Sequence, residues 1–125
     1  MTENEISKKV IGSAIEVHKA LGPGLLESAY EECVAAEFRA QGIEFERQKP
    51  IPLVYRDVKL DCGYRLDFLV ENKVIVELKA IEIVPTVVYA QLLTYLRLLD
   101  KRLELMINFH VEQLKLGIKR VVNNL

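Results

Sequence analysis

The chain has 125 residues, of which 50% are hydrophobic and 28% are charged, and its formal net charge is −1. This size and composition are typical of one globular domain with its own apolar core, so a single domain over residues 1–125 is predicted. The near-zero charge weakens, without excluding, a function that depends on a broadly basic nucleic-acid surface.

The N-terminal segment and the cysteines bear on the location of the protein. Met1 leads into a polar segment with no signal-peptide core. No apolar run approaches the roughly 20 residues needed to cross a bilayer. Cys33 and Cys62 lack the spacing of a zinc or redox motif and have apolar or strand-like neighbours, so buried free thiols are expected. A cytoplasmic location without membrane association is therefore predicted.

Two helices are predicted in the first forty residues. Thr2 and Glu5 fit a capping box at the start of the first helix. An amphipathic stripe follows, with apolar residues at helical spacing: Ile6, Val10, Ala14, Val17 and Leu21. Gly22-Pro23-Gly24 ends this helix, and residues 1–21 are expected to pack on the core. A second helix is predicted from about Leu25 to Gln41, with an inward face of Leu26, Ala29, Cys33 and Ala36.

Strand-like segments and a third helix follow the first two helices. The predicted strands are residues 43–46, 52–55, 63–70, 74–80, 103–109 and 118–122. Turns are predicted at Arg56-Asp57 and Glu71-Asn72-Lys73, and a helix from Pro85 to about Leu99. This helix has the length of a βαβ crossover, so the strands before and after it are expected to be parallel. The order of elements indicates an α/β (α+β) fold.

Two apolar strands between residues 65 and 79 are interrupted by three charged residues, Asp67, Glu77 and Lys79. Glu77 and Lys79 are two positions apart on one strand and therefore share a face. If the hairpin is centred on Asn72, Asp67 lies directly opposite Glu77, with Cβ atoms roughly 5 Å apart. A two-residue turn would instead place the two carboxylates on opposite faces. The functional interpretation therefore requires one specific register.

Two facing carboxylates repel each other unless one is protonated or a cation lies between them. Oxygen ligands suit Mg²⁺, with Mn²⁺ as the usual substitute. Such an ion can polarise a phosphoryl oxygen, and Lys79 can orient or deprotonate a water or neutralise charge on the phosphate. The alternative is an ordinary solvated Glu–Lys pair. The hydrolytic interpretation is favoured because residues 74–80 are otherwise apolar on both faces.

Five further residues are candidates for the same site. Glu27, near the start of the second helix, is either a metal or water ligand or a carboxylate favoured by the helix dipole. Tyr30 lies on the same side of that helix and is a candidate for substrate binding. Gln91 needs a polar partner, either at the catalytic face or on a strand carbonyl, and Tyr95 is expected in the core with its hydroxyl at the edge. Arg65 is expected to contact a phosphate or pair with a carboxylate.

The segment before and within the start of the second helix reads Gly24-Leu25-Leu26-Glu27-Ser28-Ala29-Tyr30. With this segment the chain resembles the GxxExxY protein family, a branch of the PD-(D/E)XK nuclease superfamily, whose naming motif is matched at every specified position. Further matching positions span nearly the whole chain: Gln48, Tyr55 and residues 63–67, 76–79, 91–96 and 107–109. The proline that precedes the aspartate in the superfamily is Leu66 here, and that proline is not a ligand.

The resemblance implies a fold and a set of roles. The fold is a PD-(D/E)XK nuclease-like αβββαβ core, with a mixed sheet of about four strands flanked by helices and an extra N-terminal helix. Asp67 and Glu77 would be metal ligands, and Lys79 the residue of the catalytic E-x-K. Glu27 would be the acidic residue of the first core helix, and Gln91 the polar residue on the helix after E-x-K.

These observations predict a Mg²⁺-dependent, nuclease-like hydrolase that acts on phosphodiesters of nucleic acid, with DNA as the expected substrate. The alternative is a catalytically silent module on the same scaffold that binds nucleic acid or a protein partner. The near-zero charge and the lack of a separate DNA-binding segment favour this alternative. A homodimer is expected, through the N-terminal helix or the last strand at the sheet edge.

Overall fold

A computed structural model describes residues 1–125. The helices are α1 (Glu3–Leu21), α2 (Glu27–Ala40) and α3 (Val87–Leu99). The strands are β1 (Phe45–Pro50), β2 (Leu53–Tyr55), β3 (Val58–Leu60), β4 (Arg65–Val70), β5 (Val74–Lys79), β6 (Leu103–Asn108) and β7 (Ile118–Val122). A short 3-10 helix, Leu114–Gly117, precedes β7. No helix combines the length and hydropathy that a membrane span requires.

Five strands form one mixed sheet in the order β1-β4-β5-β6-β7. The β5 and β6 strands are parallel and joined by α3, whereas the other neighbouring pairs are antiparallel. This arrangement confirms the predicted α/β (α+β) class and the αβββαβ order, which α2, β1, β4, β5, α3 and β6 provide. The sheet has one strand more than the four expected, because β7 also pairs with β6.

The sheet separates two apolar cores. On one face, α1 and α2 enclose a cluster of 19 buried residues that includes Tyr30, Phe38 and Phe68. On the other face, α3 covers a cluster of six buried residues: Ile51, Leu66, Leu69, Ile75, Tyr95 and Leu96. These two clusters are called the α1/α2 core and the α3 core below.

Helix α1 begins with the predicted capping box. The Thr2 amide donates to Glu5 Oε1 at 3.1 Å, and the Glu5 amide donates to Thr2 Oγ1 at 3.2 Å. These two bonds satisfy amides at the helix start that have no partner within the helix. Four of the five predicted stripe residues are buried in the α1/α2 core: Ile6, Val10, Ala14 and Val17.

The predicted inward face of α2 is right for Cys33, which packs against the α1/α2 core, and wrong for Leu26 and Ala36. Leu26 is 77% exposed and Ala36 is exposed, while the helix buries Tyr30, Val34, Ala35 and Phe38. Aromatic rings bury far more apolar area than alanines, so the helix rotates to place its two large rings inside. The predicted stripe used small residues whose burial contributes less free energy.

The segment between β1 and β4 also differs from the prediction. The turn at Arg56-Asp57 is present, with positive φ angles of 49° and 63°, but it joins β2 to an additional strand, β3. Cys62 follows β3 and is exposed, so the prediction that it is buried is wrong. It lies in a segment outside the main sheet. Cys33 is partly buried, and both thiols are free.

Candidate active site

The β4–β5 hairpin has the register that the functional interpretation requires. Val70 pairs with Val74 and Phe68 pairs with Val76, so the loop is Glu71-Asn72-Lys73. Glu71 and Asn72 have positive φ angles of 51° and 56°, as a tight connection between two strands demands. The loop is centred on Asn72, and the predicted register is confirmed.

Strand β4 changes face at Asp67. Leu66 and Leu69 both belong to the α3 core although they are three residues apart, whereas a regular strand alternates faces with a period of two. Asp67 forms no ladder pair with either neighbouring strand. Gln48, its counterpart on β1, has a left-handed φ of 50°. This local break in the ladder redirects the Asp67 side chain, as bulges do beside active sites.

The Asp67 carboxylate lies against the end of β5. Its Oδ2 accepts a hydrogen bond of 2.7 Å from the Leu78 amide, and Gln48 Nε2 donates to its Oδ1 at 3.4 Å. Burial raises the pKa of Asp67, and the Leu78 hydrogen bond opposes that rise. The carboxylate is therefore held at the junction of the two strands, beside the E-x-K segment.

Glu77 is a buried carboxyl group with an unsatisfied oxygen. The residue is 6% exposed, and its Oε1 has no hydrogen-bond partner. Burial, followed by the negative charges of Asp67 and Glu104, raises the pKa of Glu77 to about 10, while Lys79 acts in the opposite direction. A buried oxygen without a partner costs free energy unless a proton or a cation neutralises it.

Lys79 supplies positive charge near the carboxyl groups of Asp67 and Glu77. It is the last residue of β5, is partly buried and takes part in none of the four ion pairs of the protein. Its charge lowers the pKa of Glu77, Glu104 and Glu27. The ammonium group therefore interacts with several carboxyl groups without being committed to one of them.

Glu27 approaches the same carboxyl groups from the other side of the sheet. It is the first residue of α2 and is exposed. Partial desolvation and the charge of Asp67 raise its pKa, and the charge of Lys79 lowers it. The Gly22-Pro23-Gly24 turn precedes it, with Gly24 at a φ of 99° that favours glycine. The helix start thus brings this carboxylate towards the start of β4 and the end of β5.

Tyr30 holds the turn that precedes Glu27. Its hydroxyl donates to the Gly22 carbonyl at 2.5 Å and accepts from the Leu25 amide at 3.2 Å. Its ring is fully buried and stacked on Phe109 at a centroid distance of 4.3 Å. This burial leaves no surface for the substrate contact expected from the sequence, so Tyr30 positions the turn instead.

Gln91 and Tyr95 form a hydrogen-bonded pair on α3. Gln91 is exposed, and its Nε2 donates to Tyr95 Oη at 2.6 Å. Tyr95 is 8% exposed and belongs to the α3 core, with burial and the charge of Glu77 raising its pKa. Gln91 therefore reaches the acidic region, which consists of Asp67, Glu77 and Glu104, through the Tyr95 hydroxyl.

Arg65 is exposed at the start of β4 and forms no ion pair.

Glu104 is a further acidic residue that the sequence analysis did not single out. It lies on β6 beside Ile75, is fully buried, and neither of its carboxyl oxygens has a partner. Burial raises its pKa to about 9, with Lys79 opposing and Asp67 reinforcing the rise. A signal was present, because Glu104 interrupts an apolar predicted strand just as Glu77 does.

Glu31 also contributes to the field around Asp67. Its carboxylate accepts from Arg47 at 2.6 Å and from Gln48 at 2.5 Å, so it is part of a network that reaches Asp67 through Gln48. Its negative charge raises the pKa of Asp67 and of Glu27. The pairing of Glu31 with Arg47 spans α2 and β1, and no sequence spacing indicates it.

The donor set fits a hard cation held by few protein ligands. No three histidine, cysteine, aspartate or glutamate side chains lie close enough to form a complete metal site. Mg²⁺, however, keeps several waters and is bound through one or two carboxylates. Asp67 and Glu77 offer two, and the unpartnered Glu77 Oε1 is the observation that favours a cation at this position.

Comparison with known proteins gives one match. A sequence model of the PD-(D/E)XK nuclease superfamily matches residues 4–121. This range includes all of α2 and α3, all of α1 except Glu3, the β4–β5 hairpin and every candidate site residue. No curated protein and no solved structure matches the chain.

Proposed function

The chain belongs to the PD-(D/E)XK nuclease superfamily, and from this premise we propose that it is a Mg²⁺-dependent hydrolase of nucleic-acid phosphodiesters, with DNA as substrate. We also assign it to the GxxExxY branch, because residues 24–30 carry that motif. The observation that supports hydrolysis best is the buried, unpartnered Glu77 Oε1 beside Asp67 and Lys79. Nucleases of this superfamily generally use divalent metals.

In this proposal, Asp67 and Glu77 hold the metal, and Glu27 completes or orients its ligand shell from the start of α2. When bound, the ion polarises a phosphoryl oxygen and lowers the pKa of a coordinated water. Mn²⁺ is expected to substitute for Mg²⁺ because both take oxygen ligands. The Leu78 amide holds Asp67 in place through its hydrogen bond to Oδ2.

The remaining residues act on the water and the phosphate. Lys79 orients the attacking water and neutralises the charge that develops on the phosphate, because its ammonium is committed to no single carboxylate. Gln91 and the Tyr95 hydroxyl position substrate or water at the rim of the site. Arg65, exposed and without an ion pair, contacts a backbone phosphate.

Cleavage of a panel of single-stranded and duplex DNA and RNA substrates in Mg²⁺ tests this proposal. Asp67→Asn and Lys79→Met are each expected to lower the cleavage rate by at least about 100-fold, since each removes a group that acts in the transition state. Lys115→Ala is the matched control, because Lys115 is exposed on the 3-10 helix. Wild-type cleavage that survives in both site variants would contradict the proposal.

A second candidate function is a silent module that binds nucleic acid or a protein without cleaving it. The observation in its favour is that no three metal-ligating side chains converge. Calorimetric titration with Mn²⁺ separates the two candidates. Saturable binding that Glu77→Gln removes supports the enzyme, and a wild type that binds no Mn²⁺ supports the module.

A further inference from the structure

Strands β2 and β3 form a separate two-stranded hairpin at the catalytic end of the main sheet. The hairpin is inserted between β1 and β4, whose pairing ends at Pro50 and Arg65. Because β4 and β5 are antiparallel, the start of β4 and the end of β5 lie at the same end of the sheet. The segment that carries the hairpin therefore joins β4 at Arg65, two residues before Asp67 and at the same end of the sheet as Lys79.

One face of this hairpin is apolar and largely exposed. The cross-strand pairs Leu53–Leu60 and Tyr55–Val58 share that face, because the pair between them, Val54–Lys59, points the other way. Tyr55 is 65% exposed, Val58 55% and Leu60 42%. A lone two-stranded hairpin is marginally stable in water, and a contiguous exposed apolar face marks a surface that binds something.

The charges of the hairpin suit a nucleic acid that is bound through few phosphate contacts. Residues 51–65 contain three basic residues, Arg56, Lys59 and Arg65, and none of them forms an ion pair. The two acidic residues are Asp57 and Asp61, and Asp61 accepts a hydrogen bond from the Gly63 amide. Three basic side chains without ion pairs can contact only a few phosphates of a nucleic-acid backbone, whereas proteins that bind duplex DNA tightly neutralise about 6–10 phosphates.

Aromatic rings connect this hairpin with the acidic region. The Arg56 guanidinium lies over the Tyr55 ring at 5.7 Å, which extends a flat stacking surface. At the base of the hairpin, Tyr64 is 40% exposed, and its ring centroid is 6.0 Å from that of Tyr95. Tyr95 in turn interacts electrostatically with Glu77. Exposed rings beside a basic patch form stacking platforms for unpaired bases.

We infer that the β2–β3 hairpin and Tyr64 bind single-stranded nucleic acid and deliver it to the carboxyl groups of Asp67 and Glu77. Tyr64 stacks on a base next to the scissile phosphate, and Tyr55 stacks on a base farther along the strand. Arg56, beside Tyr55, and Arg65, at the start of β4, contact phosphates. A duplex hides the faces of its bases within its own stack, so this surface selects a single strand. The inference rests on the proposed function for the catalytic step, but its binding step is separate.

Fluorescence anisotropy at low salt with EDTA present tests the binding step without cleavage. A labelled single-stranded oligonucleotide is expected to bind at least about tenfold more tightly than a duplex of the same sequence. Tyr64→Leu and Tyr55→Leu are each expected to weaken single-strand binding by roughly 5- to 100-fold, whereas Tyr64→Phe retains it because the ring remains. Tyr89→Leu is the matched control, since Tyr89 lies on α3 and outside the hairpin.

The outcomes separate this inference from the proposed function. Single-strand binding that depends on Tyr64 supports the inference even if no substrate is cleaved, and that lack of cleavage contradicts the function. Cleavage that prefers a duplex, or binding that Tyr64→Leu leaves unchanged, overturns the inference and leaves the function intact. A dimer in light scattering that Val58→Asp dissociates, with oligonucleotide binding unchanged, also overturns it, because a second copy then covers the hairpin.

Discussion

The two faces of the central sheet differ in whether their buried polar groups have hydrogen-bond partners. In the α1/α2 core, Ser13 Oγ donates to the Lys9 carbonyl at 3.0 Å and His18 Nε2 is 2.8 Å from the Val111 carbonyl oxygen. On the α3 face, Glu77 Oε1 and both carboxyl oxygens of Glu104 have no partner. The first face satisfies its polar groups, whereas the second face leaves carboxyl oxygens unsatisfied in a low-dielectric interior.

The contrast indicates which face contributes stability and which face carries the candidate chemistry. The larger core has 19 buried residues and the smaller one has six. Hydrophobic burial scales with the apolar area removed from water, so the α1/α2 core is expected to dominate the free energy of folding. Unpartnered buried carboxyls oppose folding and persist where a proton or a cation neutralises them.

The largest loss of stability is expected from a cavity in the α1/α2 core. Phe38 is fully buried and contacts the Phe68 ring edge-on at a centroid distance of 5.3 Å. Phe38→Ala is expected to lower the free energy of unfolding by about 3–5 kcal/mol, measured by urea denaturation. Leu26→Ala, at a 77% exposed residue, should change it by less than about 0.5 kcal/mol. A loss below about 1 kcal/mol for Phe38→Ala would contradict the dominance of this core.

Replacing the titratable carboxyl of Glu104 is expected to stabilise the protein relative to the wild type as the pH rises. The pKa of Glu104 is about 9 in the folded state against 4.5 as its ordinary value, so the folded protein retains a proton that the unfolded chain releases. Stability from this group is therefore complete below pH 4.5 and is lost as the pH rises toward 9. Glu104→Gln does not titrate, so its advantage over wild type should grow by up to about 1.4 kcal/mol per pH unit.

Thermal unfolding between pH 5 and pH 8 measures this effect. The melting temperature of Glu104→Gln should exceed that of the wild type by a margin that widens with pH, and the stability difference should grow by up to about 4 kcal/mol over these three pH units. Glu112→Gln, at an exposed position, is the control and should show no such trend. A constant or shrinking margin would show that Glu104 is neutralised by a partner rather than by a proton.

Metal binding is expected to stabilise the protein through Asp67 and Glu77. A ligand whose free concentration is 100 times its Kd adds about 2.7 kcal/mol to the free energy of unfolding. The pKa of Glu77 is raised to about 10, so the metal competes with a proton and its affinity should increase as the pH rises toward that value. Calorimetry with Mn²⁺ at pH 6, 7 and 8 checks the trend. Glu77→Gln should abolish both the binding and the stabilisation, and Glu112→Gln should preserve them.

The smallest expected effect comes from the turn that precedes Glu27. Tyr30→Phe removes the hydroxyl that bonds to the Gly22 carbonyl and the Leu25 amide, at a cost of about 1–2 kcal/mol in stability. If this turn positions Glu27, kcat should also fall while KM stays the same, and Glu27→Ala should make the effect of Tyr30→Phe on kcat disappear. A change in KM alone would mean that Tyr30 contacts substrate.

The sequence predicted the parts of the fold that short-range patterns determine. Gly22-Pro23-Gly24 and the residues around Asn72 mark turns by their backbone preferences, so the helix end and the hairpin register were predicted correctly. The inward face of α2 was predicted only in part, because hydrophobic spacing alone does not rank Ala29 or Ala36 below Tyr30. Rotation of a helix depends on the total apolar area that packing can bury.

The site was predictable only in part, for a similar reason. Asp67, Glu77 and Lys79 are close in sequence, and one hairpin register brings them to the same end of the sheet. The break in the ladder at Asp67 depends on the Gln48 backbone and the Leu78 amide, which belong to two different strands. Glu104 comes from β6, and its proximity to Lys79 depends on a parallel pairing across α3. Such long-range contacts have no fixed spacing in sequence.

Anomalous diffraction from crystals of the protein grown with Mn²⁺ tests metal binding at Asp67 and Glu77 most directly. We expect one anomalous peak bound by oxygens of both Asp67 and Glu77, close to Glu77 Oε1, and no peak at that place in Glu77→Gln crystals. Wild-type crystals in saturating Mn²⁺ that show no anomalous peak between the carboxyl groups of Asp67 and Glu77 would contradict metal binding at this site.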